Sequence, residues 1–261
     1  MEALNVQKFY NDRADYAYRS TLKFGSRNAL PHLAEPYSYI EKKLSGLDHT
    51  DKRLLDVCCG NGTHSFAFAE MGYTVDGCDI SEKMIEIASK TAISAGLADS
   101  VTFHSANLCN PFPFKDDTFD VVYISGSLYY LDLDATISEI KRVLKKDGYF
   151  CCVETNGTNF LMSTFRKIKN IFKHHRDQNT LSHLLKRQEI LRVASAFYDS
   201  EIKYFGFLVL LGEGLRFSPL LVKKWTYFIR YIDWFLLNTL CFHGCGFKFI
   251  IIGRNHSKLS T

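Results

Sequence analysis

The sequence predicts an α/β fold in which a mostly parallel, doubly wound sheet of seven strands is covered by helices on both faces, and three observations predict it. Between Arg53 and Glu154, short apolar runs alternate with amphipathic stretches at the spacing of right-handed crossover units. The first run ends in a glycine turn, Gly60-Asn61-Gly62. Two further strands are expected near the end of the chain, separated by a long insertion. With 261 residues, 46% of them hydrophobic and 23% charged, the chain can bury one substantial core. It reads as a single domain, 1–261, with insertions.

Residues 1–50 form an N-terminal lid with helices. The stretch from 5 to 30 carries Phe9, Tyr10, Tyr16, Tyr18 and Phe24 without a clean period, and a helix is predicted over Pro36 to Leu44. Residues 51–156 are the core. Arg53 to Cys59 is the first strand, Thr63 to Met71 a helix, and Tyr73 to Asp79 the second strand. Ser81 then N-caps a helix through Met84, Ile87 and Ala88. Val101 to Ser105 and Phe119 to Ile124 are the next strands. Asp134 starts a helix with the stripe Ile137, Ile140 and Leu144, and Asp147-Gly148 turns the chain into the strand Tyr149 to Glu154.

After that the pattern changes. Residues 157–199 are a basic helical segment, with one stripe at Leu161, Phe165, Ile168 and Phe172 and a second helix over Leu181 to Ala196. A sixth strand lies within Tyr198 to Leu211 and a seventh in Phe247 to Ile252. Residues 208–246 between them are an apolar helical insertion or cap.

Ligands of such sheets bind beyond the carboxyl ends of the strands. The loops at Cys58 to Thr63, Asp79 to Ser81, Ala106 to Leu108, Ser125 to Tyr130 and Glu154 to Asn156 are therefore expected to border one crevice.

A formal charge of +4 does not call for a nucleic-acid partner. Eight Lys/Arg against two Asp/Glu between Gly157 and Arg192 read as a solvated helix face, with a site for an acidic substrate or membrane phosphate as the alternative. Two adjacent cysteine pairs, Cys58-Cys59 and Cys151-Cys152, fall in buried runs and read as small core residues, not as a disulfide framework. Cys241 and Cys245 flank Phe242-His243-Gly244, but no second pair has zinc spacing, so no metal is expected. The first residues lack the apolar stretch of a signal peptide, and a cytoplasmic location is expected. Lys223, Lys224, Arg230 and Asp233 interrupt the apolar stretch 219–242, which is therefore not a transmembrane span; a packed cap, a dimer contact and a peripheral membrane helix remain open for it.

The glycine turn is the first chemical signal. Gly60 and Gly62 let backbone approach a ligand and adopt positive φ before a helix starts. They follow an acid, Asp56, in the first strand. Asp79 ends the second strand, seventeen residues beyond Gly62, where a carboxylate can accept two hydrogen bonds from ribose hydroxyls. A dinucleotide fingerprint wants glycine three residues after the second one, and Ser65 stands there, which weakens a nicotinamide reading.

Leu54-Leu55-Asp56-Val57-Cys58-Cys59-Gly60-Asn61-Gly62-Thr63 resembles the first motif of the class I S-adenosylmethionine-dependent methyltransferases. The resemblance continues through Asp79-Ile80-Ser81-Glu82-Lys83-Met84, Pro113 to Val122 and Ile140 to Gly148, about 100 consecutive residues in all. It implies a Rossmann-like sheet with an antiparallel last strand and S-adenosylmethionine as cofactor, S-adenosylhomocysteine being the product. It also implies that Gly60 and Gly62 run along the methionine portion with Asp56 supporting the loop, and that Asp79 holds the ribose. Ile80 would then pack on adenine, Asn107 and Leu108 meet the adenine edge, and Ser125 border the sulfonium. Cys58 replaces a customary glycine and Asn107 a common aspartate.

The expected reaction is methylation, O-directed with N- and C-methylation left open, of a small or medium-sized acceptor that is partly apolar; a non-catalytic methyltransferase-like binding protein is the alternative. A hydroxyl acceptor needs a positioned base. Glu154 at the end of the fifth strand, Tyr129 beside Tyr130 after the fourth, and His183 in the basic segment (with His174 and His175) are the candidates. The protein is expected to be a monomer or homodimer.

Overall fold

The structure is a computed structural model that describes residues 3–18, 23–30, 33–48, 51–109, 111–159, 183–208, 218–240 and 242–255. Its sheet comprises β1 (Arg53–Val57), β2 (Thr74–Asp79), β3 (Val101–Ser105), β4 (Phe119–Ser125), β5 (Leu144–Thr155), β6 (Tyr198–Phe205) and β7 (Lys248–Arg254), in the order β3-β2-β1-β4-β5-β7-β6. The chain winds outward from β1 to β3 and then crosses back to β4, which makes the β1/β4 boundary the switch point. Strand β7 runs antiparallel to both β5 and β6, so the first six strands share one direction, as expected.

Alternation along the central strands builds a core on each face. Leu55, Val57, Val122, Ile124 and Cys152 face one side, closed by Ile140 and Val143 of α5 (Leu133–Val143) and by Ile190 and Val193 of α6 (Arg187–Ser195). Leu54, Val121, Tyr123, Cys151 and Val153 face the other. There they meet Ile40 and Leu44 of α2 (Glu35–Ser45), Phe66 and Phe68 of α3 (Thr63–Glu70) and Ala92 of α4 (Glu82–Ser94). Cys151 and Cys152 thus pack on opposite faces as small apolar groups, and all seven described cysteines are free.

Element ends differ from the sequence reading for local reasons. Strand β1 stops at Val57 because Cys58 turns to φ 57°. Helix α5 is capped by Asp132, whose Oδ1 accepts from the Ala135 amide at 2.8 Å; Asp134 sits in the first turn instead. Leu144 begins β5 rather than ending the helical stripe. The β4/β5 register shifts between Phe119 and Val121, and this irregularity absorbs Asp147, at φ 60°, and Gly148. Helix α6 starts only at Arg187, since Leu184 and Leu185 are buried and the Leu185 carbonyl accepts from Gly157 at 2.9 Å. The stripe from Leu161 to Phe172 lies outside the described residues.

Two helices frame the sheet's carboxyl edge. Helix α1 (Ala3–Tyr18) lies against α4, and the Ser81 hydroxyl joins them, donating to Asn11 Oδ1 at 2.6 Å while accepting from the Met84 amide at 3.3 Å. Helix α7 (Pro219–Asn238) covers the edge strand β6: Asn238 accepts from the Tyr204 amide at 2.9 Å and donates to its carbonyl at 3.0 Å. Asp233 accepts from the amides of Phe207 and Leu208 just beyond β6. Among the described residues no helix is long and apolar enough to cross a membrane.

Candidate active site

A cavity of about 260 Å³ opens at the carboxyl ends of β1, β2 and β4. Its floor is the turn after β1, where Cys58 (φ 57°), Gly60 (φ 55°) and Gly62 (φ 78°) all take the left-handed conformation. The two glycines serve different ends. Gly60 lines the cavity, and a Cβ placed on it would meet nothing within 4 Å, so its bareness keeps the wall open. Gly62 lies behind it: a Cβ there would come within 2.8 Å of Phe103 Cζ and 3.0 Å of the Phe66 ring, so this glycine lets α3 close on β3. Cys58 occupies a conformation that costs a non-glycine residue about 1–2 kcal/mol.

The turn is held from β2. Asp79 accepts from the Gly60 amide through Oδ2 at 2.9 Å and from the Ser81 amide through Oδ1 at 2.9 Å. Burial raises its pKa, and those amides offset part of the effect. The residue forms part of the cavity wall. Ile80 and Met84 add an apolar wall beside it. Asp56 does not reach the cavity. It is buried beneath the turn, where its Oδ2 accepts from Ser65 Oγ at 2.6 Å; burial pushes its pKa up to about 7, the neighbouring Asp79 charge adding and the Ser65 bond opposing.

Beyond β3, Leu108 is buried in the wall, whereas Asn107 is exposed and spends its Oδ1 on the Cys109 amide at 3.0 Å. Beyond β4, Ser125, Gly126 and Ser127 complete the floor, Gly126 at φ 67° with open space beside it. Glu154 lies under this loop and is absent from the cavity lining. Its Oε1 accepts from the amides of Ser127 at 2.9 Å and Leu128 at 2.8 Å, while its Oε2 is buried without a hydrogen-bond partner. Burial drives its pKa up to about 7 against those amide bonds and the Lys248 charge.

The roof comes from α1, through Val6 and Tyr10. Tyr10 meets Tyr130 edge-on at 6.3 Å, and Tyr130 in turn packs on Tyr129 at 4.4 Å. Tyr130 lines the cavity and Tyr129 stands behind it; burial raises the phenol pKa of both Tyr10 and Tyr129. His183 is exposed and does not line the cavity, and His174 and His175 lie outside the described residues. Among the described residues no group of three acidic, histidine or cysteine side chains is placed to hold a metal.

Of the residues named from sequence, the structure thus brings Cys58, Gly60, Asp79, Ile80, Asn107, Leu108 and Ser125 to one cavity. It sets Asp56, Gly62, Tyr129 and Glu154 behind the wall and His183 away from it. Sequence reasoning passed over Val6, Tyr10, Met84, Cys109 and Leu131, which also line it, whereas Asn61 and Gly126 fall in loops it expected at the crevice. Tyr10 carried a signal in the aromatic run of the first helix, but its partner Tyr130 is over a hundred residues away.

Residues 48–194 match the family described as a methyltransferase domain. The chain belongs to this family. The methyltransferase domain is 32% identical over 138 residues to a sterol 4-C-methyltransferase of Caenorhabditis elegans, covering 52% of this chain and 40% of that protein. It is 35% identical over 111 residues to a demethylmenaquinone methyltransferase of Lactiplantibacillus plantarum, covering 41% of this chain and 46% of the relative. The chain therefore spans under half the length of these two curated relatives. Among solved structures, a geranyl diphosphate methyltransferase bound to geranyl diphosphate and sinefungin superposes with a TM-score of 0.59 at 19% identity, covering 85% of this chain and 80% of the other. The 4+2 cyclase SpnF superposes with a TM-score of 0.65 at 18% identity over 98% and 97% of the two chains. At such identities these structures share the fold, and a fold by itself hosts more than one chemistry.

Proposed function

We propose that the methyltransferase domain transfers the methyl group of S-adenosylmethionine to a small or medium-sized, largely apolar acceptor. The observation that carries the reading is Asp79. It is a buried carboxylate at the end of β2, oriented by two backbone amides, on the wall of a cavity floored by the bare backbone of Gly60. That arrangement suits a ribose diol and an adjacent amino-acid tail. Ile80, Met84 and Leu108 supply the apolar surface a purine needs.

The cofactor supplies an electrophilic methyl group on a sulfonium, so the protein's own work is alignment and exclusion of water. Ser125, Gly126 and Ser127 form the surface against which the acceptor meets that group, held in place by Glu154. Val6, Tyr10 and Tyr130 close the cavity from above.

The groups that face the cavity support one choice of acceptor atom. Glu154 is committed to the loop amides, and burial keeps the Tyr10 phenol protonated, so the described lining offers no ready base for a hydroxyl proton. This favours an electron-rich carbon over the oxygen expected from sequence. Two of the relatives and neighbours are named for methylation of a sterol and of geranyl diphosphate at carbon. An isoprenoid-like acceptor fits that company.

Calorimetry with S-adenosylhomocysteine should show one site per chain, followed by transfer of labelled methyl to an acceptor from a panel of prenyl diphosphates, sterols and quinone precursors. Absence of binding sinks the proposal. Binding with no transfer to any acceptor would instead favour a relative that keeps the cofactor without methylating.

A further inference from the structure

Helix α7 is apolar on two sides. Inward, Val222, Ile229 and Leu237 are buried, and its one acid, Asp233, is turned to the Phe207 and Leu208 amides. Outward, Leu221, Phe228, Tyr231, Ile232, Trp234 and Phe235 are exposed, Phe228 at 71% and Phe235 at 48%. A helix of this kind leaves a contiguous apolar face in water, which marks a docking surface. The exposed charges that the helix itself brings to the face are positive, and Glu35 of α2 faces only its Arg230. Lys223 and Lys224 are exposed, and the Arg230 guanidinium lies 5.1 Å and 4.6 Å from the rings of Tyr227 and Tyr231.

That charge pattern selects the occupant. A second copy docked through the same face would set these cations against their own counterparts with no exposed acid on the helix to pair with them. An anionic lipid surface pairs with Lys223 and Lys224, while the aromatic and leucine side chains enter the headgroup boundary. The helix also stands at the functional edge. It is fastened at Tyr204, Phe207 and Leu208, the carboxyl end of β6, and β6 runs parallel to the strands whose carboxyl ends hold the cavity.

We propose that the outward face of α7 docks the protein on anionic membrane surfaces, lying in the interface without crossing it. The docking stands on the helix alone. The consequence that an apolar acceptor is collected from the bilayer rests on the function proposed above.

The test uses the full chain with vesicles of phosphatidylcholine, alone and mixed with phosphatidylserine, in a sedimentation assay, with S-adenosylhomocysteine binding measured on the same samples. The protein should sediment with the mixed vesicles. Lys223→Glu together with Lys224→Glu should weaken this at least about tenfold. Phe228→Ser together with Phe235→Ser should abolish it, with cofactor-product binding unchanged in both variants. Failure to sediment with mixed vesicles, in a sample that binds S-adenosylhomocysteine, overturns the docking. So does equal sedimentation with both vesicle types that the lysine changes leave alone. A dimer in sedimentation velocity that the phenylalanine changes dissolve would assign the face to a second copy and overturn it as well. Vesicle binding without S-adenosylhomocysteine binding would sustain the docking and remove the proposed function instead.

Discussion

Glu154 shows how a single buried side chain can matter at a site it does not touch. One oxygen holds the amides of Ser127 and Leu128, and the other has no partner, so the folded protein keeps this carboxyl protonated up to about pH 7. In the unfolded chain the group ionises near its ordinary value of 4.5. Between those pH values unfolding releases a proton, so the stability that Glu154 permits is full below about pH 4.5 and is lost as pH rises towards 7. The loss is on the order of 3 kcal/mol. Asp56, also raised to about 7, acts in the same direction. Glu154→Gln keeps the acceptor oxygen and has nothing to ionise; its denaturant midpoint should fall less than the wild type's between pH 5 and 8, and equal slopes would contradict the assignment.

The other residue-scale expectations concern the floor. Asp79→Ala removes a charge-assisted acceptor and should lower affinity for S-adenosylhomocysteine about 100-fold by calorimetry. Cys58→Gly, which suits φ 57°, should leave that affinity intact. Cys58→Val puts a branched side chain in the left-handed region and should destabilise by about 2 kcal/mol in urea unfolding.

At the scale of elements, helix α1 closes the cavity from its place against α4. Helix α1 meets α4 through the Ser81–Asn11 hydrogen bond and reaches the cavity with Val6 and Tyr10. Asn11→Ala should therefore weaken S-adenosylhomocysteine binding several-fold while lowering the melting temperature by about 1–6 °C, since a partly exposed hydrogen bond contributes only about 0.5–1.5 kcal/mol. An affinity equal to the wild type's would detach α1 from binding. Sequence could place α2 to α4 because their apolar periods and the Ser81 cap are local signals. It could not place the start of α6, which waits on two leucines drawn into the core, nor the switch of Leu144 from helix to strand, which the register of β4 imposes.

For the whole molecule, one sheet carries both cores, so the described chain should unfold in a single cooperative step. S-adenosylhomocysteine at 100 times its dissociation constant should add about 2.7 kcal/mol, which for a chain of this size raises the melting temperature by about 5–10 °C. NAD(H) should leave it unchanged; an equal rise with NAD(H) would restore the nicotinamide reading.

What the sequence by itself determined is the part of the cavity proposed to hold the cofactor. Gly60, Asp79 and Ile80 sit at strand ends, and a strand end, a turn and an acid at fixed spacing are encoded within about thirty residues. What only the tertiary structure decided is the part proposed to face the acceptor. Glu154 looked like a base because an acid at the end of a central strand is poor core material, yet two amides from a neighbouring strand's loop satisfy it and hold it below the cavity floor. Tyr130 is turned to the cavity and Tyr129 away by the packing of α1, and the outward face of α7 exists because its inward side is already filled by the β6 edge. Contacts between segments far apart in the chain leave no periodic trace in it, and those contacts decide which side chains meet a ligand.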